Sequence, residues 1–120
     1  QLSIVNVDGT GLRQVGDFPF LRGRSDWSTQ NLIVTYSGRR WERELYIMNS
    51  DGSGQQRISP MGGNSQGPSF SPDGQWIVFT SYFDRYEVHG CEIYIMRVDG
   101  TDLRRLTNNE YCDYQPSWGP

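Results

Sequence analysis

Three sets of residues in this sequence have the types that chemistry uses. Gly63-Asn64-Ser65-Gln66-Gly67 spells G-x-S-x-G, the pattern of a nucleophile elbow. That pattern activates a serine only on a strand-to-helix turn with a histidine in reach. Here Pro68 and a strand-like run follow, and the single histidine, His89, belongs to a different loop. Ser65 therefore reads as a loop residue. The second set is His89 with Asp84, Glu87 and Cys91, whose side chains are all metal-ligand types. One histidine among scattered carboxylates lacks the tight spacing of a metal centre, so a solvated loop is the simpler account. The third is Asp8, Asp51 and Asp99, a ladder of carboxylates that would suit calcium. Each is followed by glycine, and Asp-Gly is what a tight turn needs. No catalytic, cofactor or metal residue is assigned, and the chain reads as non-enzymatic.

The aspartates mark a repeat. LSIVNVDGTGLRQV at 2–15, LYIMNSDGSGQQRI at 45–58 and IYIMRVDGTDLRRL at 93–106 align without a gap. Their Asp-Gly pairs lie 43 and 48 residues apart, inside the period range of propeller blades and other repeat arrays. In each copy an apolar-polar alternation runs into Asp-Gly and a second short strand follows, which predicts three hairpins. A second motif lies between them. GPSFSPDGQWIVFTS at 67–81 turns at Pro-Asp-Gly between two strands, and SDWSTQNLIVTYS at 25–37 matches it with one residue fewer in the turn. PSWGP at 116–120 begins a third copy.

The full unit thus has four strands. We label them A (around Trp27 or Phe70), B (33–37 or 77–81), C (45–49 or 93–97) and D (55–59 or 103–107). No window carries a helical period of useful length. Aromatics make up 13% of the chain, which favours half-buried sheet surfaces. Tyr46, Tyr94, Met48, Met96, Trp27, Phe70 and Trp118 sit at period-two spacing and read as packing between neighbouring sheets.

SFSPDGQWIVFTS followed by EIYIMRVDGTDLRRLTNN closely resembles the TolB-type, WD40-like β-propeller repeat. Blades of that family carry the same W/F-S-P-D-G turn, aliphatic B strand, I-Y-x-M C strand and D-G-x-x-x-R-L-T ending. The resemblance covers the whole chain. It departs at Ser28-Thr29-Gln30, where Ser-Pro-Asp-Gly is expected, which shortens one turn and leaves the strands in place.

It implies an all-β fold of four-stranded antiparallel blades. The expected division is a half blade (1–16) holding strands C and D, two complete blades (17–64 and 65–110), and a lone strand A within 111–120. Cys91 then starts strand C, and Cys112 lies in the D-to-A connection at the same rim. This placement admits either a Cys91–Cys112 bridge, which would fit an exported protein, or two free thiols. The B-to-C loops emerge at that rim too. They carry Arg39, Arg40 and Trp41 in one blade and Tyr82, Phe83, Arg85 and Tyr86 in the next, residue types that anchor protein interfaces.

Propeller blades bury their faces only against neighbours, so this arrangement leaves apolar sheet faces for partners. Copies of the same chain are the expected neighbours. They would join strand 114–118 (Tyr114, Pro116, Trp118) to strand 2–15 (Leu2, Ile4, Val5), closing a ring or propagating as a filament. The alternative is a stretch of a longer propeller, acting as a protein-binding platform or as the non-catalytic domain of a hydrolase. TolB relatives act in the periplasm, which implies a periplasmic or extracellular location here.

The formal net charge of −3 lacks the basic excess that phosphate backbones require, which argues against nucleic acid as a partner. No apolar run has membrane-spanning length and no signal-like segment opens the chain, so membrane insertion is not expected.

Overall fold

The computed structural model describes residues 1–18, 24–83, 91–108, 111–113 and 116–119. Asp84, Arg85, Tyr86, Glu87, His89 and Tyr114 lie outside the described residues. All described elements are strands, and no helix among the described residues is long and apolar enough to cross a membrane. β1 (Leu2–Ile4) and β2 (Arg13–Gly16) form a two-stranded half blade. β3 (Asp26–Trp27), β4 (Leu32–Ser37), β5 (Glu44–Asn49) and β6 (Gln56–Arg57) form the first full blade. β7 (Gln66–Phe70), β8 (Trp76–Ser81), β9 (Glu92–Arg97) and β10 (Arg104–Arg105) form the second. Every pairing is antiparallel between sequence neighbours, the A-B-C-D order expected from the repeats.

The turns explain why the aspartates recur. Asp8 Oδ1 accepts hydrogen bonds from the Thr10 N–H (2.9 Å) and hydroxyl (2.6 Å). Asp51 does the same with Ser53, and Asp99 with Thr101, at the same distances. The glycines that follow take φ of +87° at Gly9, +89° at Gly52 and +86° at Gly100, a region closed to most side chains. In the A-to-B turn of the second blade, Gly74 takes φ +72°, and Asp73 Oδ1 accepts from the Ser71 hydroxyl and the Gln75 N–H. In the first blade Asn31 takes the left-handed place at φ +59°, and Ser28 Oγ accepts from the N–H groups of Gln30 and Leu32 to tie the shorter turn.

Period-two alternation sends each strand's side chains to two different neighbours. Ile33 and Met48 face the half blade, where they bury Val15 and Phe18 and support Leu2, Ile4 and Tyr46. Val34, Leu45 and Ile47 face the other way and pack with Phe70, Ile77, Phe79, Tyr94 and Met96 of the second blade. Trp27 departs from the expected packing and is 48% exposed. Its counterpart Phe70 is covered by the first blade, whereas the described half blade has only two strands with which to cover Trp27.

One other expectation needs correction. Strand D is only two residues long in each full blade. Past Arg57 the Ser59 hydroxyl replaces a backbone carbonyl as acceptor for the Leu45 N–H (3.0 Å), and Thr107 does so for Ile93 (2.9 Å). Residues 116–119 form no strand. A strand A pairs only with its own B strand, as β3 does with β4 and β7 with β8, and the described residues hold no such partner for this stretch.

Candidate interaction surfaces

One rim gathers the B-to-C loops and the D-to-A connections. The Ser65 N–H donates to Arg43 O (2.8 Å), which ties the connection after β6 to the loop before β5. The Tyr82 N–H donates to Gly63 O (2.7 Å), which ties the same connection to the end of β8. Ser65 itself is buried, shares a hydrogen bond with the Ser81 hydroxyl and leads into β7, so it lacks the strand-to-helix turn of a nucleophile elbow. Asp8, Asp51 and Asp99 each serve their own turn. No group of three or more metal-ligating side chains comes together among the described residues.

Of the rim residues expected from sequence, Trp41 and Tyr82 meet edge to face across the two blades, with ring centroids 5.2 Å apart. Trp41 sits at φ +72°, a strained conformation for a bulky residue, beside a turn closed by the Glu42 N–H donating to Arg39 O (2.9 Å). Arg39, Arg40 and Phe83 are exposed. A cleft of about 490 Å³ opens beside Arg39, with Phe18 and Tyr46 as its aromatic wall and Glu42 and Arg57 among its charged residues. Met61 and Tyr111, each 78% exposed, belong to the same connections. Sequence reasoning missed both because they fall outside the repeated motifs.

The cysteines are bridged, with Cα atoms 4.6 Å apart. Cys91 and Cys112 stand 48 residues after Arg43 and Asn64. At that place in the first blade the Arg43 N–H donates to Asn64 Oδ1 (3.1 Å). The bridge thus does covalently what a side-chain hydrogen bond does one blade earlier. Beside it, the Asp113 N–H donates to Cys91 O (3.0 Å), as that of Ser65 does to Arg43 O. A further repeated feature was not anticipated. The Ser59 hydroxyl donates to Glu44, and the Thr107 hydroxyl to Glu92, each locking the start of strand C to the end of strand D. The signal was present as Glu44-Leu45-Tyr46 and Glu92-Ile93-Tyr94, each with a hydroxyl residue 15 positions after the glutamate.

The terminal segments engage this chain's own blades. Leu2 and Ile4 pack on the first full blade, while Val5 lies beyond β1 and is 51% exposed. Pro116 O accepts from Arg24 Nη2 (3.3 Å), and the Trp118 indole N–H donates to Ser69 O (3.1 Å).

The second surface is the face of the second blade turned away from the first. Trp76, Val78 and Thr80 of β8 alternate onto it, as do Ile93, Ile95 and Arg97 of β9. The equivalents of Ile93 and Ile95 in the first blade, Leu45 and Ile47, are 0% and 4% exposed, whereas Ile93 and Ile95 remain partly exposed. Leu106, the equivalent of Ile58, is 57% exposed. Arg97 stacks on Trp76 at 4.3 Å and pairs with Asp102 (2.8 Å), and Arg104 lies 5.9 Å from the same ring centroid.

Comparison with known proteins agrees with this geometry. The family profile of the TolB beta propeller domain matches residues 1–120. A protein of Agrobacterium fabrum without assigned function is 34% identical over 78% of this chain and 31% of its own length. The Tol-Pal system protein TolB of Desulfosudis oleivorans is 33% identical over 65% of this chain and 17% of its own. A solved structure from Agrobacterium tumefaciens, provisionally named TolB, superposes with a TM-score of 0.77 at 26% identity, over 95% of this chain and 40% of that one. TolB from Acinetobacter baumannii gives 0.68 at 25% identity, over 88% and 26%. The chain therefore spans less than half the length of each of these relatives. Strand order, repeated turns and the full-length profile match together show that this chain belongs to the TolB beta propeller domain family.

Proposed function

We propose that the chain is a non-catalytic interaction module that works outside the cytoplasm, periplasmic or extracellular, by presenting an open blade face and a rim to protein partners. The observation that carries this reading is the contrast between Leu45 and Ile47, sealed under a neighbouring blade, and Ile93, Ile95 and Leu106, which stand at equivalent places with no such blade among the described residues. A propeller blade is apolar on both faces, so the natural cover for such a face is another blade. The Cys91–Cys112 bridge supports an oxidising compartment. At the rim, Arg39, Arg40, Trp41, Tyr82 and Phe83 offer the aromatic and guanidinium groups that anchor protein contacts.

The share of the relatives' length that this chain spans favours a second reading, in which the covering blades belong to one longer propeller. Both readings require the face to be apolar and accessible in the 120-residue chain. An apolar fluorescent dye titrated into dilute, natively folded chain tests this. Binding that falls at least several-fold in Ile93→Asp and Leu106→Asp supports the proposal. A folded chain that binds no dye, or whose binding ignores both substitutions, overturns it.

A further inference from the structure

The internal blade contacts show what a blade face receives. At the junction between the half blade and the first full blade, Arg13 Nη2 donates to Ser50 O (3.2 Å), the carbonyl just before the Asp51-Gly52 turn. Gly52 sits so close to β2 that a Cβ would lie 2.3 Å from Val15 O. The glycine thus serves two needs, positive φ and the approach of one blade to the next. At the junction between the two full blades the position of Arg13 is filled by Gln56, and a Cβ on Gly100 would stand 3.6 Å from Ile58 O. That contact is looser, with a cleft of about 250 Å³ lined by Gln56, Val98 and Asp99 among others.

The open face carries the tighter set. Arg104 lies 48 residues after Gln56, hence in the place of Arg13, and Leu106 lies in the place of Val15. The same chain also displays an undocked member of the turn series. Asp8-Gly9 has the hydrogen bonds and φ of the two docked turns, yet a Cβ on Gly9 would meet nothing within 4 Å, and Val5 and Val7 beside it are exposed.

Resting on the reading of this face as a blade-docking surface, we propose that its occupant is a second copy of this chain, bound head to tail. The copy's Asp8-Gly9 turn settles against Leu106, its Val7 carbonyl accepts from Arg104, and its Val5 meets the apolar residues of β9. The two surfaces differ, so the contact is heterologous and extends from copy to copy until it closes or stops. The incoming half blade brings only β1 and β2, so the junction is smaller than the internal ones and falls in the weak, concentration-dependent class.

Sedimentation of the 120-residue chain across a concentration series tests the proposal. The wild type is expected to rise above 13.8 kDa with concentration, while Leu106→Asp, Arg104→Glu and Val5→Asp, all exposed positions, each remain at one chain's mass with native circular dichroism. An equimolar mixture of Leu106→Asp and Val5→Asp retains one intact junction and should form dimers and nothing larger. A wild type that stays monomeric at every concentration while still binding the apolar dye overturns the second copy and leaves the open face standing. Loss of dye binding overturns both. Variants that associate as the wild type does, or a mixture that fails to pair, also overturn the head-to-tail contact.

Discussion

The two full blades are nearly the same sentence written twice, but they live in different surroundings. In the first, both faces are covered, and β4 and β5 divide their side chains between two cores. In the second, only the face toward the first blade is covered in this way by the described residues. The residue types hardly differ: Leu45 and Ile47 against Ile93 and Ile95. Burial in a propeller is thus a property of the junction, and a face without its neighbour becomes a surface. The rims differ in the opposite sense. There the covered blade relies on a hydrogen bond from Arg43 to Asn64, and the blade with the open face carries a disulfide in the same place.

The sharpest way to break this comparison is paired truncation. Leu45→Ala should cost roughly 2–5 kcal/mol, as expected for a sealed leucine. Ile93→Ala should cost less, about 1–2 kcal/mol, since part of its side chain has not left water. Denaturant unfolding measures both, and equal losses would refute the contrast. Next in size is the rim. Replacing Cys91 and Cys112 together by alanine should remove roughly 3 kcal/mol, the value for a loop of this length. Asn64→Gly, which keeps the left-handed backbone and loses only the acceptor, should remove about 1 kcal/mol.

Glycine substitutions separate turn geometry from blade contact. Gly9→Ala and Gly52→Ala both place a side chain at positive φ, worth about 1–2 kcal/mol. Only Gly52→Ala adds a collision with Val15, for a further ~1–3 kcal/mol. Matching losses at the two sites would show that the turn does not seat on the neighbouring blade.

The smallest expected effect is electrostatic. The hydroxyl and then the N–H of Thr10, Ser53 and Thr101 hold the carboxyls of Asp8, Asp51 and Asp99 below their ordinary value of 3.8. Because the folded-state pKa is depressed, this stabilisation is complete above the unfolded value and fades as pH falls through the folded one, below about 3.8. The Arg13 charge lowers Asp51 further across the junction. Arg13→Gln should therefore raise the Asp51 titration midpoint and leave Asp99 unmoved, as carboxyl NMR signals would report.

Much of the fold was legible because its signals are local. Asp-Gly after an alternating run fixes a hairpin through φ and one carboxylate, whatever surrounds it. The shortened turn at Ser28 also kept its strands in place, since register there is set by the pairing of β4 with β5. What stayed hidden depends on neighbours in space. Trp27 has the right type for a core residue, and its exposure follows only from how few half-blade strands stand beside it. The seating of Gly52 on Val15 was invisible, because positive φ already accounted for the glycine. The rim contact of Trp41 with Tyr82 joins residues from two blades that no periodicity relates.

The central claim is that the face ending at Leu106 is a docking surface equivalent to the one ending at Ile58. Their amides make matched bonds, Ile58 N–H to Leu45 O (3.0 Å) and Leu106 N–H to Ile93 O (2.7 Å). Hydrogen exchange at these two amides, followed as chain concentration is raised, tests the claim most directly. Leu106 should exchange much faster than Ile58 in dilute solution and approach it as the face is covered. A gap that is absent when dilute would contradict the account, and one that persists unchanged at every concentration would contradict the second copy as the occupant of the face.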